Sequence, residues 1–169
     1  MAAGRKLRRL AAHLFVPDWI ALRALPRDSL REIEKAIQAS ERDHGGQIRF
    51  VVEASLPASW LFRKKSSRRR AEALFSQLRV WDTEHNSGVL VYVQLVSRHI
   101  DIVADRGVAR AVPQAEWDAV CRTMEAAFRR GEFLVGSLHG IARITDLLRG
   151  AFPAAPGGRN ELPDKPVVL

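Results

Sequence analysis

The strongest constraint on the fold is the apolar run GVLVYVQLV at residues 88–96. It is rich in β-branched residues and shows no alternation of polar and apolar side chains, so it predicts a strand that is buried on both faces. The segment HIDIVAD at residues 99–105 follows after only Ser97 and Arg98. A connection of two residues favours a hairpin, so the second strand is predicted to return antiparallel to the first.

A helix and a further strand are predicted ahead of this hairpin. Residues 26–44 carry apolar side chains at helical spacing, and Ser29 with Glu32 matches the S-x-x-E capping box. The Gly-Gly pair that follows is expected to end the helix. The segment QIRFVVEAS at residues 47–55 is short and β-branched, so it predicts a strand.

Between the two strand regions, Ser66 or Ser67 can cap a helix. Its expected apolar face consists of Ala71, Leu74, Phe75, Leu78 and Trp81. A strand, a helix and a strand in succession indicate parallel neighbours joined by a right-handed crossover. The hairpin adds an antiparallel strand to this pair, so the sheet is predicted to be mixed.

Two helices are predicted after the hairpin. Pro113 suits the first position of a helix, and the apolar residues expected on its inner face are Trp117, Val120, Cys121, Met124 and Phe128. The last helix is expected over residues 133–149, with these residues directed inward: Val135, Leu138, Ile141, Thr145 and Leu148. The fold class is therefore α/β, a three-layer α/β/α sandwich with a small mixed sheet.

Three regions follow from this pattern. Residues 1–25 form a basic amphipathic N-terminal segment, residues 26–150 form the α/β/α domain, and residues 151–169 form a tail rich in proline and glycine. The composition of this tail predicts disorder. In the N-terminal segment, residues 5–15 have the spacing of a short helix with one apolar stripe and a basic opposite side.

Positive charge is concentrated in the first two fifths of the chain. Residues 1–70 contain 16 lysines and arginines against 7 acidic residues, whereas the remainder contains 11 against 12. This asymmetry favours an anionic partner such as lipid headgroups or nucleic acid, and the alternative is a solvated basic face. The candidate anion- or membrane-binding residues are Arg5, Lys6, Arg8, Arg9, Arg63, Lys64, Lys65, Arg68, Arg69 and Arg70.

The sequence also indicates a compartment. The single cysteine, Cys121, cannot form a disulfide within the chain, and no run approaches the ~20 apolar residues that span a bilayer. The apolar run near the N-terminus is shorter than a signal peptide requires. We expect a cytoplasmic protein that is peripheral to the inner membrane if its basic surface meets lipid.

A cluster of polar residues is predicted at one end of the hairpin. With a two-residue turn, Leu90 faces Asp105, which brings the loop at residues 82–86 to the same end of the sheet as Asp105. The candidate metal ligands are Asp82, Glu84, Asn86 and Asp105, with His85 beside them. Oxygen ligands of this kind suit Ca²⁺ or Mg²⁺, and the carboxylates could serve in acid–base chemistry. The alternative is a wet loop at a strand end.

Several segments in order resemble the TPM domain family. They are NSGVLVYVQLVSRHIDIVADRG and FRRGEFLVGSLHGIARITDLL, which follow a first strand with Gly46, Ile48 and Val51. The matching positions are Asn86, Gly88, Val89, Leu90, Arg98, Gly107, Phe128, Arg129, Gly131, Phe133 and Gly136. The likeness covers roughly residues 28–150.

The resemblance implies an α/β/α sandwich with a mixed sheet. Some members of the family have been proposed as acid phosphatases or divalent-metal binders, and one from chloroplasts is linked to photosystem repair. Most relatives carry a signal sequence and often a transmembrane helix, so this chain resembles a bacterial, cytoplasmic type without them. The acidic segment expected after the second hairpin strand is replaced here by ARAVPQAEWD, residues 109–118.

Three functions are compatible with these patterns. The first is a non-catalytic accessory or interaction domain that associates with an anionic membrane surface or a membrane-associated protein. The alternative is a phosphatase that acts on phosphomonoesters with Ca²⁺ or Mg²⁺, through Asp82, Glu84 and Asp105. The third is nucleic-acid binding through the basic N-terminal half, which lacks the interleaved aromatic residues of known modules.

Overall fold

The computed structural model describes residues 19–57, 60, 66–154 and 159–169. In this part of the chain the helices are α1 (Trp19–Ala24), α2 (Arg27–Ser40), α3 (Ser67–Gln77), α4 (Arg106–Ala111), α5 (Gln114–Arg129) and α6 (Phe133–Ala151). The strands are β1 (Gln47–Glu53), β2 (Gly88–Gln94), β3 (His99–Ala104) and β4 (Val167–Val168). The predicted helix at residues 5–15 lies outside the described residues.

The four strands form one mixed sheet in the order β3-β2-β1-β4. Strand β1 runs parallel to both β2 and β4, whereas β2 and β3 pair antiparallel. The structure thus confirms the parallel pair and the hairpin that the sequence predicts. Strand β2 lies at the centre of three long strands, and all its residues are buried, because both faces of the sheet are covered.

The hairpin register differs from the predicted one. Leu90 pairs with Val103 rather than Asp105, and Gln94 pairs with His99. Four residues therefore connect the strands instead of two. Arg98 adopts a left-handed backbone conformation with φ of 51°, and its N–H donates to the carbonyl of Leu95, which closes the longer turn. The predicted two-residue turn at Ser97 and Arg98 is wrong.

Each face of the sheet has its own core. Side chains of alternate residues, such as Phe50 and Val91, pack with α2, α5 and α6 in the larger cluster. The intervening residues, such as Val51 and Tyr92, pack with α3 in the smaller cluster. These two clusters make the predicted three-layer α/β/α sandwich, because apolar surface on both sides of the sheet must be covered.

Several details of the predicted elements need correction. Helix α2 begins after Pro26 as the N-cap residue, so Ser29 lies inside the helix and forms no capping box. The helix ends at Ser40, before the Gly-Gly pair. Trp81 is 50% exposed because α3 has ended at Gln77. Val135 is exposed as well, because the inner face of α6 is rotated away from it.

The predicted disorder of the tail is wrong for residues 159–169. Leu162 is buried in the smaller core, and Val167 and Val168 pair with Val51 and Val52 as strand β4. Proline and glycine composition does not reveal these contacts, because they depend on partners in β1 that are far away in sequence.

Candidate functional site

The predicted polar rim forms at the end of the sheet where β2 begins and β3 ends. The N–H of Asp105 donates to the carbonyl of Gly88 at 2.8 Å, and that of Gly107 donates to the carbonyl of Asn86 at 3.1 Å. A Cβ atom on Gly107 would lie 2.6 Å from the carbonyl oxygen of His85, so only glycine allows this approach. The loop and the exit of β3 are therefore neighbours, as the hairpin predicts.

Most polar groups at this rim already have structural partners. Asp105 caps α4, because its Oδ1 accepts from the N–H of Arg106 at 2.7 Å. Asn86 has φ of 52°, a turn conformation, and its Oδ1 accepts from Arg106 Nη2 at 3.4 Å. The other oxygen of Asp105 is buried without a hydrogen-bond partner within the described part of the chain.

The carboxylates predicted to share a metal differ in their exposure to solvent. Asp82 and Glu84 are exposed, whereas Asp105 is buried. Among the residues that the structure describes, no group of three His, Cys, Asp or Glu side chains is placed to hold a metal ion. The metal site at Asp82, Glu84, Asn86 and Asp105 stays a prediction.

The candidate basic residues that the structure describes differ in exposure and in their partners. Arg69 is exposed, and Arg68 reaches from α3 to donate to the carbonyl of Ile102 at 2.5 Å. Arg70 points inward and forms a bidentate ion pair with Glu53, with Nη2 2.6 Å from Oε1. The pairing with Glu53 keeps the pKa of Arg70 above its usual range despite its burial. The other candidates, Arg5, Lys6, Arg8, Arg9, Arg63, Lys64 and Lys65, lie outside the described residues.

The Glu53 carboxylate also binds a second buried group. Tyr92 donates its hydroxyl to Glu53 Oε2 at 2.5 Å, and the Arg70 guanidinium lies 5.6 Å from the ring centroid of Trp60. Burial and the adjacent carboxylate raise the pKa of Tyr92, so the hydroxyl keeps its proton. Arg70 is thus part of the interior under α3, not of an open basic surface.

A larger polar cleft lies at the N-terminal ends of β1 and β2, next to the rim. Its volume is about 940 Å³, and its walls come from the end of α2, the loop before β2, and residues 159–164. Two residues of the predicted site, Glu84 and His85, line it. The N–H of Glu84 donates to Glu161 Oε2 at 2.9 Å, which joins the loop to the C-terminal segment.

Glu41 is the most perturbed acid in this cleft. Its Oε1 accepts from the N–H of Ile48 at 2.7 Å, and its Oε2 is buried without a hydrogen-bond partner in the described residues. Burial, followed by the nearby Asp164 carboxylate, raises the pKa of Glu41 to about 8. Glu41 is therefore protonated at neutral pH, because its burial disfavours the charged form.

In the wall of the cleft, His44 belongs to a buried hydrogen-bond chain. The N–H of Gly46 donates to His44 Nδ1 at 3.2 Å, so the ring proton lies on Nε2. Nε2 is 2.8 Å from Ser40 Oγ, which is 2.6 Å from Thr145 Oγ1 on α6, and that hydroxyl donates to the carbonyl of Ile141. Burial lowers the pKa of His44 and keeps it neutral.

Known proteins support one family assignment. The family model for the TPM domain matches residues 23–147, which is most of the chain.

This chain belongs to the TPM domain family.

Two solved structures share the fold of this chain. The NMR structure of the BA42 protein from the psychrophilic bacterium Bizionia argentinensis is 26% identical, with a TM-score of 0.75 over 85% of this chain and 94% of that one. The N-terminal domain of a protein from P. gingivalis shares the fold at 16% identity, with a TM-score of 0.62 over 83% and 95% of the two chains. No curated protein matches the sequence.

This TPM domain contains a cleft that its sequence motifs do not indicate. The family match ends at residue 147, whereas Glu161 and Asp164 lie beyond it and line the cleft. Glu41 was not predicted, because a single carboxylate after a helix gives no signal of a raised pKa. The nearest hint in the sequence is the polar series Glu41, Arg42, Asp43 and His44 directly before a buried strand.

In the described residues, no helix of this TPM domain is long and apolar enough to cross a membrane.

Proposed function

We propose that this TPM domain is a non-catalytic interaction domain that associates with anionic membrane surfaces through its basic N-terminal half. The observation that carries the proposal is that polar side chains at the rim form hydrogen bonds and turns that stabilise the fold. Asp105 caps α4, and Asn86 forms a turn and accepts from Arg106. Because these side chains have structural roles, they support a domain that binds a partner through other parts of its surface.

The distribution of charge supports a lipid partner. All of the net positive charge of the chain comes from residues 1–70. Arg69 on α3 is exposed, and Arg63, Lys64 and Lys65 are three consecutive cations a few positions earlier in the sequence. Each cation near an anionic surface contributes about 1 kcal/mol of attraction, so a group of three or four is sufficient for reversible association at low salt.

A vesicle assay tests this function. The full chain should co-sediment with vesicles of phosphatidylcholine and phosphatidylserine but not with phosphatidylcholine alone, and salt should weaken binding because it screens the charges. Replacing Arg63, Lys64 and Lys65 with glutamine should lower the partition at least about tenfold, on the scale of 1 kcal/mol per cation.

The matched control removes the same charge from the other half of the chain. The exposed residues Arg110, Arg122 and Arg143 are replaced with glutamine, and this variant should bind vesicles nearly as well as the unmodified chain. Equal losses in both variants would mean that net charge alone matters. Absence of binding to anionic vesicles at low salt would refute the membrane association.

The non-catalytic part of the proposal has a separate test. Turnover of a generic phosphomonoester is measured with Mg²⁺ or Ca²⁺ for the unmodified chain and for Asp82→Ala and Asp105→Ala. We expect no turnover that depends on either residue, because Asp105 is buried and caps α4 whereas Asp82 is exposed. Activity that is lost in both variants would instead establish the phosphatase alternative.

A further inference from the structure

The outer edge of β1 is covered by a segment that makes little regular sheet structure. Strand β4 contains only two residues, yet residues 159–169 extend along the whole of β1. Without this segment β1 would be an edge strand with free main-chain groups, which is a template for another extended chain. The contacts of the segment therefore define what this edge recognises.

Two buried side chains of β1 bind the main chain of the segment. Gln47 Oε1 accepts from the N–H groups of Glu161 at 2.7 Å and Leu162 at 3.0 Å. Arg49 Nη1 donates to the carbonyls of Pro163 and of Lys165, the latter at 2.7 Å. Main-chain contacts of this kind recognise an extended backbone whatever its side chains are.

Regular strand pairing continues the same path. The N–H of Leu169 donates to the carbonyl of Val52 at 2.9 Å, and the N–H of Ala54 donates to the carbonyl of Leu169 at 3.2 Å. With the segment in place Gln47 and Arg49 are 4% and 9% exposed, so the main chain of the segment, in place of water, satisfies their polar groups. The outer edge of β1 is thus shaped to bind an extended main chain through both side-chain and strand hydrogen bonds.

Three side chains of the segment add selectivity. Leu162 packs into the smaller core with Val51 and Tyr92, and Pro166 is buried. Asp164 lies opposite the protonated carboxyl of Glu41 and near the buried Arg49, whose charge it partly offsets. The recognised pattern is thus a leucine, an acidic residue and a proline at every second position, followed by a β-branched pair.

We propose that the outer edge of β1 is a peptide-binding groove whose resident ligand is residues 159–169. The ligand class is an extended segment of a partner protein with the pattern Leu-x-Asp-x-Pro-Val-Val, bound by strand addition. The groove is a protein-binding surface distinct from the basic face, so it does not depend on the proposed lipid association.

A partner segment must compete with the resident segment for the groove. The resident segment belongs to the same chain, so its effective concentration is in the millimolar range typical of tethered ligands. A partner segment of equal intrinsic affinity binds only when it exceeds that concentration or when the resident segment is weakened. Weakening the resident segment without altering the groove therefore isolates the binding site.

The test uses the full chain and a fluorescent peptide with the sequence of residues 159–169, with binding measured by anisotropy. Leu162→Ala in the protein removes the apolar anchor of the resident segment and leaves Gln47 and Arg49 in place. We expect this variant to bind the peptide at least tenfold more tightly than the unmodified chain does. Equal affinity of the two proteins would overturn the proposal.

Two matched controls separate groove binding from general exposure of apolar surface. A peptide in which the leucine equivalent to Leu162 is replaced by alanine should lose the gain in affinity. Arg49→Leu added to the Leu162→Ala protein should lose it too, provided that its circular dichroism spectrum is unchanged. Retention of tight binding in either control would also contradict the proposal.

Hydrogen exchange on the unmodified chain gives a result that no variant can confound. If the segment is displaceable, the Leu169 amide should exchange by local opening, much faster than the amides shared by β1 and β2. Addition of excess unlabelled peptide should speed that exchange, because the peptide competes with the resident segment for β1. Exchange of the Leu169 amide only through global unfolding would show that residues 159–169 are a permanent strand, and the proposal would fail.

Discussion

At the scale of single residues, His44 illustrates how a neutral imidazole can be built into a fold. Its Nδ1 accepts from Gly46 and its Nε2 donates toward Ser40, so both ring nitrogens are used only when one proton is present. A second proton would remove the acceptor on Nδ1 and place a charge in a site that is 2% exposed. The lowered pKa of His44 follows from this burial.

The pH dependence of stability follows from the direction of that shift. The folded protein has a lower His44 pKa than the unfolded chain, for which the value is near 6.5. The stabilisation is therefore present above pH 6.5 and is lost as the pH falls below it. We expect His44→Gln to be less stable at pH 7.5 and to show a flatter loss of stability between pH 7 and pH 5.

Urea unfolding from pH 5 to pH 8 measures this effect. His139→Gln is the control, because His139 is exposed on α6 and makes no comparable contacts among the hydrogen bonds of the described residues. The control should follow the unmodified chain at every pH. An unchanged pH profile in His44→Gln would show that His44 does not contribute to acid sensitivity.

The pKa of Glu41 is shifted in the direction opposite to that of His44, so its effect on stability has the opposite pH dependence. Its pKa is raised from 4.5 in the unfolded chain to about 8 in the folded protein. The favourable contribution is complete below pH 4.5 and is lost as the pH rises through 8, because an ionised Glu41 is buried away from water and also repels Asp164. At pH 9 we expect Glu41→Gln to exceed the unmodified chain in stability by on the order of 2 kcal/mol.

The comparison at pH 9 needs a carboxylate of the same cleft as its control. Glu84→Gln serves, because Glu84 is exposed and its side chain is not buried against another acid. In chemical denaturation, the free energies of unfolding of the two variants should differ at pH 9 but not at pH 6. A loss of stability on Glu41→Gln at both values would contradict the protonated state of Glu41.

At the scale of elements, the free edge of β3 is protected by side chains from both neighbouring helices. Arg68 on α3 donates to the carbonyl of Ile102, and Glu125 on α5 accepts from the N–H of Ile100 at 3.2 Å. His99 Nδ1 lies 2.6 Å from Glu125 and helps to hold it. Exposed strand edges promote pairing between chains, and charged side chains that cover them oppose it.

Removing both side chains should expose this edge. We expect Arg68→Ala with Glu125→Ala to self-associate more than the unmodified chain as concentration rises, because the main-chain groups of β3 become available. Light scattering after size-exclusion chromatography measures the mass. The control is Glu72→Ala with Arg129→Ala, which removes only the exposed ion-pair partners of the same two residues. Identical masses for the two variants would refute the protective role.

The elements also show what the sequence can predict and where it stops. The strands β1, β2 and β3 could be predicted from short apolar runs such as Val89 to Val93. A run of this length that is buried on both faces is typical of a central strand. The hairpin register does not follow, because it depends on whether Leu95 and Val96 extend the strand or enter the turn. The short helix α4 was not predicted, because six residues give too little periodicity.

At the scale of the whole molecule, two clusters on opposite faces of one sheet fix the architecture. Periodicity alone predicts most of their members, since Trp117, Val120, Met124 and Phe128 repeat at helical spacing. The cleft could not be predicted in the same way. It forms between segments that are about 120 residues apart, and its main acid is recognisable only through its burial and its distance from Asp164.

The position of the resident segment in the chain has a consequence for biosynthesis. Residues 159–169 come after β1, β2 and β3 in the sequence. The ribosome therefore synthesises them last of these segments, when the three strands are leaving or have left the exit tunnel. During that interval Gln47 and Arg49 on the nascent chain lack their main-chain partners. A newly made molecule therefore passes through a stage in which an extended segment from elsewhere can reach β1 before its own segment exists to compete.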